Sequence, residues 1–263
     1  MSAKLELSSA SAGRRLIRWG ISFCLLVIIL PTAFAYAYYG VNQAVAAPWW
    51  AADKRSAAIA PDPQTSPEAI VQVYAARVYG WRAALGVHTW IATKGRNADH
   101  YTRLEVIGWG IRRGLPALRI HNGVPDARWY GRQPVILAEL RGPEAETLIE
   151  RIEQVARSYP YAHQYQVWPG PNSNTFTAYV ARQIPELRLD LPSTAIGKDF
   201  LTDGGQWAGA PSGTGFQFSA GGLFGILVAR EEGIEINLLG LSFGFDVNPP
   251  ALRLPGLGRV GMG

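Results

Sequence analysis

Two residues far apart in the chain have types and settings that could share chemistry. His88 lies in VHTWIATK (Val87–Lys94), and Ser173 follows Pro169-Gly170-Pro171-Asn172 at the head of SNTFTAYVARQI. A serine at a helix start sits among free backbone N–H groups, which favour negative charge and can stabilise an oxyanion. A strand histidine would serve as its base. The competing reading is plainer. A helix-starting Ser is an ordinary N-cap, contributing about 1 kcal/mol. The expectation is Ser173 as a cap in a non-catalytic domain, with the Ser173 nucleophile and His88 base as the alternative. Trp168, Tyr159, Tyr161 and Tyr165 could line a groove for sugar or peptide, or pack in the core. His163, among the tyrosines, reads as a packing or groove-edge residue.

The elements that must position these residues follow from periodicity. Apolar and polar residues alternate in AIVQVYAARVYG, and VHTWIATK, TRLEVIGWG, ALRIHNG and PVILAELRG also read as strands, separated by Gly, Asn, Asp and Pro. The period then changes. Pro143–Tyr159 opens with Pro and acids and repeats Leu148, Ile149, Ile152 and Val155 at helical spacing. A second helix is predicted over Ser173–Ile184, stopped by Pro185. After a Gly-rich stretch, GGLFGILVARE and GIEINLLGLSFGFDV read as one apolar β-hairpin around Glu231-Glu232-Gly233. Its default role is to cover an edge of the main sheet, with contact to the membrane or to a partner as the alternatives. PPALRLPGLGRVG is predicted to end extended.

The N-terminal 40 residues differ from the rest. Arg14, Arg15 and Arg18 precede an apolar run from Trp19 to Leu30, the layout of a secretory signal or signal anchor. Ile17–Tyr39 is long enough to span a bilayer, and the positive flank would keep the N-terminus cytoplasmic. Cys24 reads as a thiol within that apolar run. The predicted organisation is a basic N-terminus with a transmembrane or signal helix (1–40), a linker (41–67), an α+β domain (68–200) and the hairpin tail (201–263). This places the bulk of the chain on the periplasmic side of the cytoplasmic membrane.

Composition excludes several classes. The chain has 263 residues, 48% hydrophobic and 17% charged, which excludes a mainly disordered protein. Of the net charge of +5, +3 lies before residue 41, so no basic footprint for nucleic acid remains on the folded part. One Cys and four dispersed His give no disulfide framework and no metal-ligand pair. No cofactor is expected.

A resemblance adds to this reading. The order strand-His, further strands, helix start with Asn172-Ser173-Asn174-Thr175-Phe176 resembles the permuted papain-like superfamily, which includes lecithin–retinol acyltransferase-like enzymes and bacterial cell-wall amidase relatives. Their motif carries Cys where Ser173 stands. The resemblance covers Ile70 to about Ile184 and implies an antiparallel sheet with packed helices, a ligand drawn from cell-wall peptide or lipid, and a site around Asn172, Ser173 and Asn174 with Trp168 and Tyr165. In the acyltransferase-like relatives a second polar residue, often His, follows the first about a strand later. His100 has that spacing, although Asn97 and Asp99 give it the look of a solvated turn. Glu105 and His121 are the alternatives, and a buried Glu105 orienting His88 would suit the chemistry. A closer resemblance rests on HTW, LEVIGW, YPY, WPGPNSNTF, AIGKDF, EEGIEINLLGL and LPGLGR, in that order. These look like the bacterial domain of unknown function 3750, which implies an architecture and no activity.

Overall fold

The strand readings of the first half become one antiparallel sheet in a computed structural model that describes residues 15, 18–23, 25–40 and 48–261. Its strands are β1 (Ile70–Arg77), β2 (Val87–Lys94), β3 (Thr102–Val106), β4 (Leu118–Asn122) and β5 (Val135–Arg141), in spatial order β4-β3-β2-β1-β5. Helix α1 is the N-terminal Arg18–Gly40, apolar and long enough, by length and composition, to cross a membrane. Cys24 lies outside the described residues. Helices α2 (Pro143–Arg157) and α3 (Ser173–Gln183) pack on one face of the sheet. Pro143, Glu144 and Glu146 suit the positive start of α2. Its buried Ala145, Leu148, Ile152 and Ala156 form the stripe that meets the sheet. Val71, Val73, Ile91 and Leu104 face them, together with Phe176 and Val180 of α3.

The opposite face holds a smaller core of Ile70, Tyr74, Trp90 and Tyr101, against which Ile59 and Trp129 pack. Part of the stretch read as a linker therefore lies on the domain. Asp126 fixes it there, accepting from Ser56 Oγ (2.8 Å), Ile59 N (2.8 Å) and Ala60 N (3.1 Å).

The tail departs from the single hairpin and extended end. It forms a second antiparallel sheet of seven strands, each paired with its sequence neighbours. They are β6 (Trp207–Gly209), β7 (Gly215–Ala220), β8 (Phe224–Ala229), β9 (Gly233–Leu238), β10 (Leu241–Val247), β11 (Pro250–Leu254) and β12 (Gly258–Gly261). The run GIEINLLGLSFGFDV holds two strands, because Leu239 and Gly240 both take positive φ (55° and 80°) and reverse the chain between Leu238 and Leu241. The default role of the apolar hairpin is also reversed. The tail turns its polar residues inward: Lys198 and Asp199 meet Glu235, Asn237 and Ser242. Most of its large apolar residues face out, Leu227 and Phe243 being buried.

Candidate functional site

A cavity of about 560 Å³ opens at the end of the first sheet where β2 starts and β3 stops. Val87 and His88 line it from β2, Ile107, Gly108 and Trp109 from just beyond β3, and Asn172, Ser173 and Asn174 from the start of α3. Trp81, Arg82, Leu85, Trp129, Tyr165, Val167, Trp168 and Ile196 complete most of its wall. Among these lining residues Arg82 is the one cation, and none is acidic.

The start of α3 is held by asparagine rather than serine. Asn172 is the N-cap: its Oδ1 accepts from Asn174 N (2.9 Å) and Thr175 N (3.2 Å). Thr175 Oγ1 accepts in return from Asn172 N (3.1 Å), closing a reciprocal capping box. Ser173 therefore occupies the first helical position and does not cap, contrary to the expectation. Asn174 Nδ2 donates to Val87 O (3.0 Å) and Ile196 O (2.8 Å), which ties the helix start to β2. Asn172 Nδ2 donates to Val167 O (3.1 Å) and Ile196 O (3.0 Å). Gly197 makes this packing possible: at φ +99°, a Cβ there would stand 2.3 Å from Asn172 Nδ2.

Strand alternation decides where His88 goes. Thr89 faces α3, with its Oγ1 3.0 Å from Asn174 Oδ1 and 2.9 Å from Thr177 Oγ1. His88 and Trp90, one residue to either side, point to the opposite face. There His88 stacks on Trp129 with ring centroids 3.7 Å apart, and Trp109 also stacks on Trp129, at 5.8 Å. The cavity rounds the sheet end, and so takes in His88 from one face and Ser173 from the other. Among the described residues no hydrogen bond joins the Ser173 hydroxyl to the imidazole; the ring bonds Glu105.

Glu105 is the centre of a buried charge cluster. Its Oε2 accepts from Arg103 (2.9 Å) and lies 3.1 Å from His88 Nε2, while Oε1 lies 3.4 Å from His121 Nε2. Burial pushes the Glu105 carboxyl up, but His121, His88 and the Arg103 charge together hold it well below the usual carboxylate range. Burial pushes His88 below its ordinary value, against the opposing pull of Glu105. His121 is raised, chiefly by its bond to Glu105. His88 is thus a neutral imidazole that carries its proton on Nε2, toward the carboxylate, and leaves the Nδ1 lone pair unused. Among the described residues neither Nδ1 nor Ser173 Oγ has a protein hydrogen bond, and neither is among the sealed unpartnered atoms. Both residues line the cavity.

Of the other candidates, Tyr165 and Trp168 stand on the cavity wall. Trp168 Nε1 donates to Leu239 O (2.9 Å), so the second sheet braces that wall. His100 stands apart: it is exposed, in a turn, with Nδ1 2.6 Å from Asp99 Oδ1. His163 is exposed and does not line the cavity. Trp81, Arg82, Trp109 and Trp129 were not among the residues expected at a site. Trp109 lay in plain view within LEVIGW, where Gly108 lets the Tyr165 ring pass: a Cβ there would be 2.7 Å from it. For Trp81, Arg82 and Trp129 no spacing marks a role.

A family model described as "Protein of unknown function (DUF3750)" matches residues 68–200. No curated protein matches the chain, and no solved structure matches it.

Proposed function

We propose that this chain, which belongs to the DUF3750 family, is a membrane-tethered envelope protein whose papain-like domain binds an amphiphilic ligand and does not turn it over. The observation that carries the reading is the cavity wall. Trp81, Trp109, Trp129, Trp168, Leu85, Ile107 and Val167 offer an apolar body its contacts. Its polar lining includes Ser173, His88 and Arg82, with no acid to repel an anion. This suits an acyl or lipid ligand with an anionic or hydrogen-bonding head better than a cell-wall peptide. The separation of His88 and Ser173 onto opposite sheet faces favours binding over catalysis. The span of α1 and the basic residues before it favour tethering with the domain on the periplasmic side.

The test is a fluorescence titration of the full chain with a long-chain fatty acid, a lysophospholipid and a muramyl peptide. Saturable binding of the acyl compounds is expected, surviving Ser173→Ala and weakening about tenfold or more in Arg82→Gln, the range of a lost charged hydrogen bond. Binding of the muramyl peptide alone would overturn the lipid assignment.

One observation favours a second reading, a serine-dependent amidase, peptidase or acyl transferase. Glu105 orients a neutral His88, and among the described residues the Ser173 hydroxyl is engaged in no protein hydrogen bond. Catalytic hydrogen bonds often tighten only when substrate binds. In that reading Ser173 attacks a carbonyl and His88 takes its proton. Labelling of the wild type by a fluorophosphonate, abolished in Ser173→Ala, would replace the binding reading with this one.

A further inference from the structure

The second sheet is patterned inside out. On β9, Glu235 and Asn237 are buried, while Ile234 and Ile236 between and beside them are about half exposed. The pairing register carries this alternation across the whole sheet. Trp207, Phe218, Ile226, Ile236 and Phe243 form one cross-strand row. Phe216, Val228, Ile234, Phe245, Leu252 and Val260 form the next. These two rows contain no charged residue, and they cross six inter-strand steps, about 29 Å at ~4.8 Å per step. The ionic side chains lie beneath, where Glu235 binds Lys198 and Arg253. A water-facing sheet normally alternates the other way, apolar in and polar out.

We infer that this outer face rests in the lipid surface beside α1. The argument for lipid is continuity with the apolar helix. The Phe23 ring of α1 packs edge-on against Phe243 at 5.6 Å, at the β10 end of the first apolar row. Lower on the helix, Ala35 packs against the β11–β12 turn, where a Cβ on Gly256 would come within 2.7 Å of the Ala35 Cβ. The exposed side of α1 and the exposed face of the sheet therefore form one apolar surface. A helix that enters a bilayer there carries the sheet face with it to the level of the acyl chains. The rim aromatics Trp207, Phe216 and Phe224 suit that boundary. This inference shares with the proposed function only the tethering by α1; it is independent of what the cavity binds.

The experiment uses the full chain in a Cys24→Ser background, reconstituted in vesicles of phosphatidylethanolamine and phosphatidylglycerol. An environment-sensitive fluorophore is attached at Ile234→Cys or Ile226→Cys on the apolar face, and at Glu150→Cys on the exposed side of α2 as a control. Both face positions are expected to emit at shorter wavelength than the control. They should be quenched several-fold more by an acyl-chain nitroxide than by aqueous iodide, with the order reversed at Glu150→Cys. Iodide quenching of the face positions equal to the control would overturn the inference. So would protection from both quenchers with energy transfer between labelled chains, which would assign the face to a second copy. A control position that itself meets the nitroxide while the face positions do not would also overturn it.

Discussion

At the scale of single residues, His88 is a buried imidazole that the fold keeps neutral. It stacks against both Trp90 and Trp129, and its Nε2 is committed to Glu105. Its folded pKa lies below the ordinary value of 6.5, so between the two values the folded state binds fewer protons than the unfolded chain. Stability then rises with pH. The contribution is fully present above 6.5 and is lost as pH falls through that value toward the folded one. Glu105, also lowered, adds a second loss at more acid pH, below its ordinary 4.5. His121 is raised and runs the other way, but its half-exposed ring is screened by solvent. His88→Gln is therefore expected to flatten the dependence of the urea midpoint on pH between about 7 and 5. An unchanged slope in the variant would move the effect to another group.

At the scale of elements, the start of α3 shows both what the sequence reveals and where it stops. The helix and its boundary were legible in PGPNSNTF, because Pro, Asn and Ser crowd the start of an apolar period. The capping residue was not, since Asn and Ser are equally good caps. Only the answering Thr175, three residues after Asn172, selects the register. The face of His88 was illegible for a different reason. All eight residues of β2 are buried, so no polar side marks which residues meet the helices. Thr89, silent in sequence, is a β2 residue whose side chain hydrogen-bonds α3. AIGKDF becomes intelligible only with the fold in hand: Gly197 leaves room for the Asn172 amide and takes a φ that L side chains avoid. Gly197→Ala should cost at least about 2 kcal/mol, from strain and from displacement of the cap. Thermal unfolding by circular dichroism reads the loss. A variant as stable as the wild type would mean the Asn172 cap can move aside freely.

At the scale of the whole molecule, the second sheet is joined by charge, not by apolar packing alone, to the segment holding Asp190, Lys198 and Asp199 that follows the first sheet and its helices. Glu235 of β9 binds Lys198 at 2.5 Å and Arg253 of β11 at 2.9 Å. Arg253 also binds Asp190, just ahead of the AIGKDF segment, and Asp246 of β10. Asp199 accepts from Gln217, Asn237 (3.0 Å) and Ser242 (3.2 Å) on three different strands of the second sheet. Burial alone would lower the Lys198 ammonium, but Asp199 and Glu235 hold it up, to about 12, so it stays charged at every ordinary pH. A buried pair is weak evidence of net stability, yet removing one partner strands the other charge at a cost of about 3–5 kcal/mol. Glu235→Ala removes a carboxylate from two buried cations at once: Lys198, in the loop ahead of the second sheet, keeps Asp199 at 3.7 Å, and Arg253 of β11 keeps Asp190 and Asp246, so a loss toward the lower end of that range is expected in urea unfolding. Lys198 and Asp199 belong to the stretch the family model matches, and their partners lie beyond it. The two sheets should therefore unfold in one transition, with circular dichroism and tryptophan fluorescence coincident in the wild type. Two separated transitions would mean that residues 68–200 hold their fold without the second sheet, and that the polar face of that sheet is only an interface. A single transition would make the ionic seam the reason an inside-out sheet can exist: its charged face is the side that is buried, which leaves the apolar face for the outside.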